Sequence, residues 1–301
     1  MLGLTATPRS DINKNTFEFF DLPNDKPDYA YELVEAIKDK YLVGFAFVDK
    51  TTQDLKRGIR YDELSDEEQK KVEEVFEHTS IDFLNKNIDL SHRFINEKTI
   101  DLMLNDLITH GLKIDGGDKI GKTIIFAKSH EEAEVIVKRF NKKYKNTYPS
   151  DFCRLIDSKV EESQSLIEKF EVRDGNPYIA VSVDMMDTGV DVPDVLNLIF
   201  FKKIESKIKF LQMIGRGTRL SPNIFGPGKD KSGFIVFDYY DNFNYFSQGN
   251  TWTTMNNEVK TAYINNSISS KINNFKLEIL QDLQKWDDKG VFDISYMVEL
   301  K

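Results

Sequence analysis

A chain of 301 residues with 40% apolar side chains is long for one compact domain and short for three, and it has the composition of a folded globular protein. The formal net charge of -9 argues against wrapping nucleic acid over the whole surface, but leaves room for a local basic track. No stretch approaches the roughly eighteen apolar residues of a membrane span. The start, Met1 to Arg9, lacks the basic region and long apolar core of a signal peptide. The single cysteine, Cys153, excludes an internal disulfide and a multi-cysteine zinc site, a usage that fits a reducing cytoplasm.

Residues 1–9 form a short apolar run stopped by Pro8 and read as the end of a preceding unit. Helical spacing over 29–42 predicts a helix, and VGFAFV at 43–48 a strand. Residues 49–90 are charged and irregular, with a capping signature at Ser65 and Glu68, and read as a linker or insertion. A helix is expected over 94–110. From there strands and helices alternate: strand 123–127, helix 130–144, strand 152–156, helix 161–170, strand 178–183, strand 195–201, helix 210–220 and strand 233–238. Nearly continuous apolar strands between helices predict a parallel sheet covered on both faces, over about 112–245. After Phe246 the alternation is lost; 274–286 reads as a helix and 293–299 as a weak strand or helix.

Gly116 to Thr123 satisfies the pattern of a phosphate-binding loop, with Lys122 as its lysine. The context is wrong. Such a loop follows a strand and opens a helix, whose first N–H groups face the phosphates. Here a helix precedes and a strand follows, so Gly116, Gly117 and Gly121 are expected to turn the chain into that strand.

Ligands of parallel sheets sit at the carboxyl ends of the strands. Ser129 follows strand 123–127 there, and Ser182 to Pro193 closes and follows strand 178–183. Helix 210–220 adds Gln212, Arg216 and Arg219. The two arginines, three apart, are expected to share a helical face. Their planar, permanently charged guanidiniums suit phosphate oxygens, with surface ion pairs as the alternative. Asp187 and Asp191 have no third ligand at metal spacing, so Asp191 is expected to brace its loop, contacting a ribose or an arginine. Ser182 and Thr188 can donate to phosphate. Basic residues cluster at 202–219 (Lys202, Lys203, Lys207, Lys209, Arg216, Arg219) and at 138–145, either as tracks for phosphate or as solvated faces. His78, His92, His110 and His130 show no metal spacing, and His130 is expected to cap its helix.

Taken in order, LTATP (4–8), TIIFAKS (123–129), VSVDMMDTGVDVP (181–193) and QMIGRGTR (212–219) resemble the later motifs of superfamily 2 helicases. DINKNTFEFF (11–20), AYELVEAIKDKYL (30–42), DMMDTGVDVP (184–193), QMIGRGTRLSP (212–222) and FGPG (225–228) resemble more closely the motor (R) subunit of type I restriction endonucleases.

That resemblance implies two RecA-like lobes with ATP and Mg2+ between them. The chain would be a piece: the last edge of lobe one over 1–44, a linker or helical insertion over 45–111, lobe two over 112–248, and the start of a helical region over 249–301. Lobe one would supply the phosphate-binding lysine and acidic metal-binding residues, which this sequence lacks, so the piece alone is expected to be inactive. Arg216 and Arg219 would reach the ATP phosphates, with Gln212 positioning nucleotide and water. Gly189 and Asp191 would link nucleotide state to DNA grip. Ser129, Ser182 and Thr188 would lie near DNA phosphates, and Thr5, Ala6 and Thr7 would couple the two. The parent would be an ATP-dependent, site-specific deoxyribonuclease of the cytoplasm. It would pump duplex DNA, cut it with a nuclease domain absent here, and assemble with methyltransferase (M) and specificity (S) subunits. A type III restriction or repair translocase, or a non-catalytic RecA-like binding module, are the alternatives.

Overall fold

The computed structural model describes residues 10–11, 14–22, 27–31, 33–51, 69–70, 73, 97–186 and 190–248. Thr5, Ala6, Thr7, Asp187, Thr188, Gly189, the capping signature at 65–68 and the elements expected after 249 lie outside them. The chain divides into two compact units, Met1–Leu42 and Val43–Lys301.

In the first unit, β1 (Ser10–Asp11) and β2 (Lys14–Asn15) pair antiparallel, followed by α1 (Thr16–Phe19) and α2 (Leu33–Lys38). α2 is shorter than the helix predicted over 29–42. The Tyr31 hydroxyl donates to Asp39 at 2.8 Å across its length.

The second unit is built on six parallel strands. In chain order they are β3 (Gly44–Asp49), β6 (Lys122–Ala127), β7 (Cys153–Leu155), β8 (Ile179–Ser182), β9 (Val195–Phe201) and β10 (Gly233–Asp238). Their order across the sheet is β3-β10-β9-β6-β8-β7. β6, β8, β9 and β10 are buried along their whole length, as continuous apolar runs require in a sheet covered on both sides. The strand at 44–49 is the sheet's edge, paired in parallel with β10 from Gly44–Gly233 to Asp49–Asp238. The compact unit thus reaches upstream of residue 112.

One face packs on α3 (Glu97–His110) and α4 (His130–Lys143). Met103, Leu104, Ile136 and Phe140 meet Ile125, Ile199 and Phe237 there. Rings of Phe140, Tyr148, Phe152 and Tyr178 stack in sequence at the β7 side. Alternate residues of the same strands, Phe45, Phe47, Phe200 and Phe234, point the other way. They meet Phe210 of α6 (Lys207–Gly215) and Phe243 of α7 (Asn242–Gln248). The remaining helix, α5 (Ser163–Glu171), buries Leu166, Ile167 and Phe170. A short hairpin, β4 (Lys113–Ile114) with β5 (Lys119–Ile120), was not legible in the sequence. Its turn takes positive φ at Gly116 and Gly117, and buried Asn197 clips it to the sheet through both the N–H and the carbonyl of Leu112.

Lys122 lies in the first position of β6, with no helix after it to receive phosphate. The residue is 2% exposed, and its ammonium donates to the carbonyls of Phe170 and Val172 (2.8 Å) at the end of α5 and of Gly175 (3.4 Å) just beyond it. A cation at a helix C-terminus is favourable, yet burial pushes this lysine down to about 8 from 10.5. Burial also pushes Lys231 down, to about 7. Between the folded and unfolded values the unfolded chain binds more protons, so stability rises with pH there. Unfolding in urea is therefore expected to show greater stability at pH 9.5 than at pH 8. In Lys122→Met that rise should shrink by up to about 1.4 kcal/mol per pH unit; an unaltered slope would mean that burial does not lower the Lys122 pKa.

Candidate functional site

α6 begins at the carboxyl edge of the sheet and ends at the amino edge. Its N-cap is Ser206, which accepts from the Lys209 N–H. The helix stops at Gly215, five residues before the predicted end at 220, with Arg216 as C-cap. The expectation that Arg216 and Arg219 share a helical face is therefore corrected. The reason is tertiary. Gly217 lies against the Phe234 ring, where a Cβ would stand 2.3 Å from the nearest carbon. The next carbonyl, of Thr218, accepts from the Val43 N–H at 2.8 Å, fixing the turn to the start of β3.

The turn is laced to residues 190–194, which bring the chain back to the amino edge before β9. Arg216 donates through Nη1 to the Val190 carbonyl and through Nε to the Gln212 carbonyl (3.3 Å). Arg219 Nε lies 3.0 Å from Asp191 Oδ1, with the side chains 56% and 63% exposed. Ser221 donates to buried Asp194 at 2.5 Å, and Asp194 also takes both Nε and Nη2 of Arg173 at 3.2 Å. Lys231 donates to the Pro193 carbonyl at 2.8 Å. Asp191 thus makes the arginine contact foreseen for it. Arg173, Asp194 and Lys231 went unnoticed in the sequence. They are single charged residues outside any periodic run, and only the fold brings them together.

At the opposite edge, Ser129 is the N-cap of α4 and accepts from the Glu132 N–H at 3.2 Å. His130, read as the cap, is instead the first helical residue, and its Nδ1 pairs with Asp157 at 2.8 Å. Ser182 is fully buried, and its hydroxyl accepts from the Met186 N–H, so it braces the loop from inside. Asp184 pairs with Lys202 (3.2 Å) and Lys209 (3.0 Å). Burial raises the Asp184 carboxyl, but the two lysines outweigh it and hold the group below its usual range.

The structure thus brings Gln212, Arg216, Arg219 and Asp191 together at the amino edge and leaves Ser129 and Ser182 at the carboxyl edge. The basic run 202–219 is split between the two. In the 138–145 cluster, Arg139 is occupied by Glu97 and Asp101 of α3. Among the described residues no group of His, Cys, Asp and Glu has the arrangement of a metal site, and no helix is long and apolar enough to cross a membrane.

Residues 103–221 match the family described as the helicase conserved C-terminal domain. The chain carries a superfamily 2 helicase-like domain. It is related at low identity to the type I restriction enzyme EcoKI endonuclease subunit of Escherichia coli (strain K12), 25% identical over 254 residues, covering 80% of this chain and 20% of the relative. It is likewise related to the DNA 3'-5' translocase XPB2 of Sulfurisphaera tokodaii, 26% identical over 249 residues, covering 78% of this chain and 51% of the relative. A solved fragment of an HsdR-type subunit of a type I restriction enzyme from Vibrio vulnificus YJ016 has the same fold. The TM-score is 0.55 at 22% identity, over 82% of this chain and 41% of that one. The helicase-like domain and its flanks therefore span about a fifth to a half of the length of these two curated relatives.

Proposed function

We propose that this chain is the second RecA-like lobe, with flanking segments, of an ATP-dependent DNA translocase of the type I restriction endonuclease kind. The observation that carries the reading is the arginine turn. Two guanidiniums stand on one edge of the sheet, and one of them, Arg219, is more than half exposed and held by a single exposed carboxylate. An exposed ion pair of this kind contributes little to stability, so its arginine is available to a more highly charged partner. Arg216 and Arg219 fit the phosphates of ATP, with Mg2+ and the phosphate-binding lysine supplied from residues outside this sequence. When bound, ATP supplies phosphoryl transfer to water as the source of work.

The chain's own residues would then act as follows. Arg219 neutralises charge at the phosphates. Arg216, anchored on the Val190 and Gln212 carbonyls, ties the turn to residues 190–194. Through that lacing, movement of the turn reaches the loop that leaves β8. Ser129, on a helix N-terminus at the carboxyl edge, is the hydroxyl placed to meet a DNA phosphate. Duplex DNA, and M and S subunits, are the partners of this reading.

ATPase of this chain, with and without duplex DNA, beside a longer protein extended upstream, tests it. Activity confined to the longer, DNA-stimulated protein is the expected result. Activity in this chain that vanishes with Lys122→Ala would restore the rejected phosphate loop. Activity in neither would favour a binding module. The match to a DNA 3'-5' translocase favours a second reading, a superfamily 2 translocase outside restriction. DNA-stimulated ATPase with no association with M and S subunits would select it.

A further inference from the structure

Among the described residues of the Val43–Lys301 unit the aromatic rings are buried or half-buried, with one departure. Among its described residues Tyr245, on α7, is the aromatic side chain left exposed, at 52%. The ring is not loosely hung. It meets Phe246 edge-on at 5.0 Å, and Phe246 stacks on Phe210 of α6 at 4.6 Å, so the exposed ring rests on the packed layer between α7, α6 and the sheet. Over one face of the tyrosine ring stands the Lys203 ammonium, 5.9 Å from the ring centre, which leaves the opposite face for a stacked base.

The surroundings are basic against the sign of the whole molecule. Residues 202–209, KKIESKIK, hold four lysines and one glutamate in a chain of net charge -9. Lys202 and Lys209 share Asp184, while Lys203 is exposed and directed at the tyrosine. All of this lies at the carboxyl edge, on the side away from the arginine turn.

We infer that Tyr245 and Lys203 form a stacking platform for an unpaired nucleic-acid strand: a base lies on the tyrosine ring, and the lysines of 203–209 take the adjoining phosphates. The inference rests on the nucleic-acid motor reading and adds to it a contact that duplex DNA cannot make, because paired bases do not offer their faces. A rigid exposed aromatic beside fixed cations is the combination by which proteins hold single strands without reading sequence, each stacked base contributing about 1–3 kcal/mol. The cation beside the ring adds to its attraction for a base and an adjacent phosphate.

The test is fluorescence anisotropy of labelled oligo-dT and of a labelled duplex on the full 301-residue chain, across a salt series. Oligo-dT should bind with strong salt dependence. Tyr245→Ala should weaken that binding by about 5- to 150-fold and leave duplex binding within twofold, while Tyr245→Phe retains it. Lys203→Ala should reduce the slope of log affinity against log salt by about 0.7, the value for one phosphate of a single strand. No oligo-dT binding by the unsubstituted chain, or equal binding by Tyr245→Ala, would overturn the platform. The motor reading is scored separately by DNA-stimulated ATPase of the upstream-extended protein carrying Tyr245→Ala. If that activity persists while oligo-dT binding does not respond to the substitution, only the platform falls; if the extended protein has no such activity even unsubstituted, the motor reading falls first.

Discussion

Arg219→Ala, introduced into an upstream-extended protein, is expected to lower DNA-stimulated ATPase by about 10³- to 10⁵-fold, the range over which an arginine finger acts. The fold should not notice. Arg219 makes an exposed pair with Asp191, and losing such a pair costs within about 1 kcal/mol, so the melting temperature should move by only a few degrees. Arg219→Lys separates charge from shape. It keeps the cation but loses the planar fork, and should recover only part of the rate. Asp191→Ala leaves the guanidinium in place and removes its competitor, so nucleotide affinity should hold or tighten. Turnover unchanged in Arg219→Ala would remove the arginine from the reaction altogether.

Gly217→Ala is expected to impair both stability and turnover, although it adds only a methyl group. The new Cβ would meet three carbons of the Phe234 ring at 2.3, 2.4 and 2.7 Å. Either the ring leaves a fully buried site or the turn backs away from β10. Overpacking of this kind costs about 1–3 kcal/mol. Backing away carries Thr218 from its bond to Val43 and shifts Arg216 and Arg219 with it. A displacement of about 1 Å at a catalytic group can cost about 10²-fold in rate. Chemical denaturation and ATPase of the extended protein would show both losses. A stable, fully active Gly217→Ala would mean that the turn is not held by β10.

The sheet was readable because its strands announce themselves. TIIFA, VLNLIFF and GFIVFD are nearly continuous apolar runs, the pattern of strands covered on both faces. Strand 195–201 and strand 233–238 were predicted to the residue. The place of β3 was not readable, because nothing in GFAFV says that its partner comes only after the sheet's four other strands have been laid down. α6 was overextended for a related reason: Ile214 and Leu220 continue an apolar spacing, and only the Phe234 ring, distant in sequence, explains why the chain turns at Gly217. The arginines draw notice in the sequence by their spacing and chemistry. Asp194, Arg173 and Lys231, which brace the neighbouring residues 193–194 and Ser221, do not stand out in the same way, because an isolated charge carries no period. Ser182 shows the reverse failure. Its position at the closing end of a strand suggested a hydroxyl able to donate to phosphate, whereas the fold turns it inward onto Met186.

The edge strand β3 also sets a timetable. The bond from the Asp241 N–H to the Thr51 hydroxyl, just past the paired strands, spans 190 residues of sequence. At ribosomal rates of about 5–20 residues per second, Gly44–Asp49 emerges about 10–40 s before the strand that will cover it. For that interval an apolar β-prone segment waits with no sheet to join, which is the condition under which nascent chains associate wrongly. The chain's vulnerability in the cell therefore lies less in its finished core than in the delay between making its first sheet strand and its last.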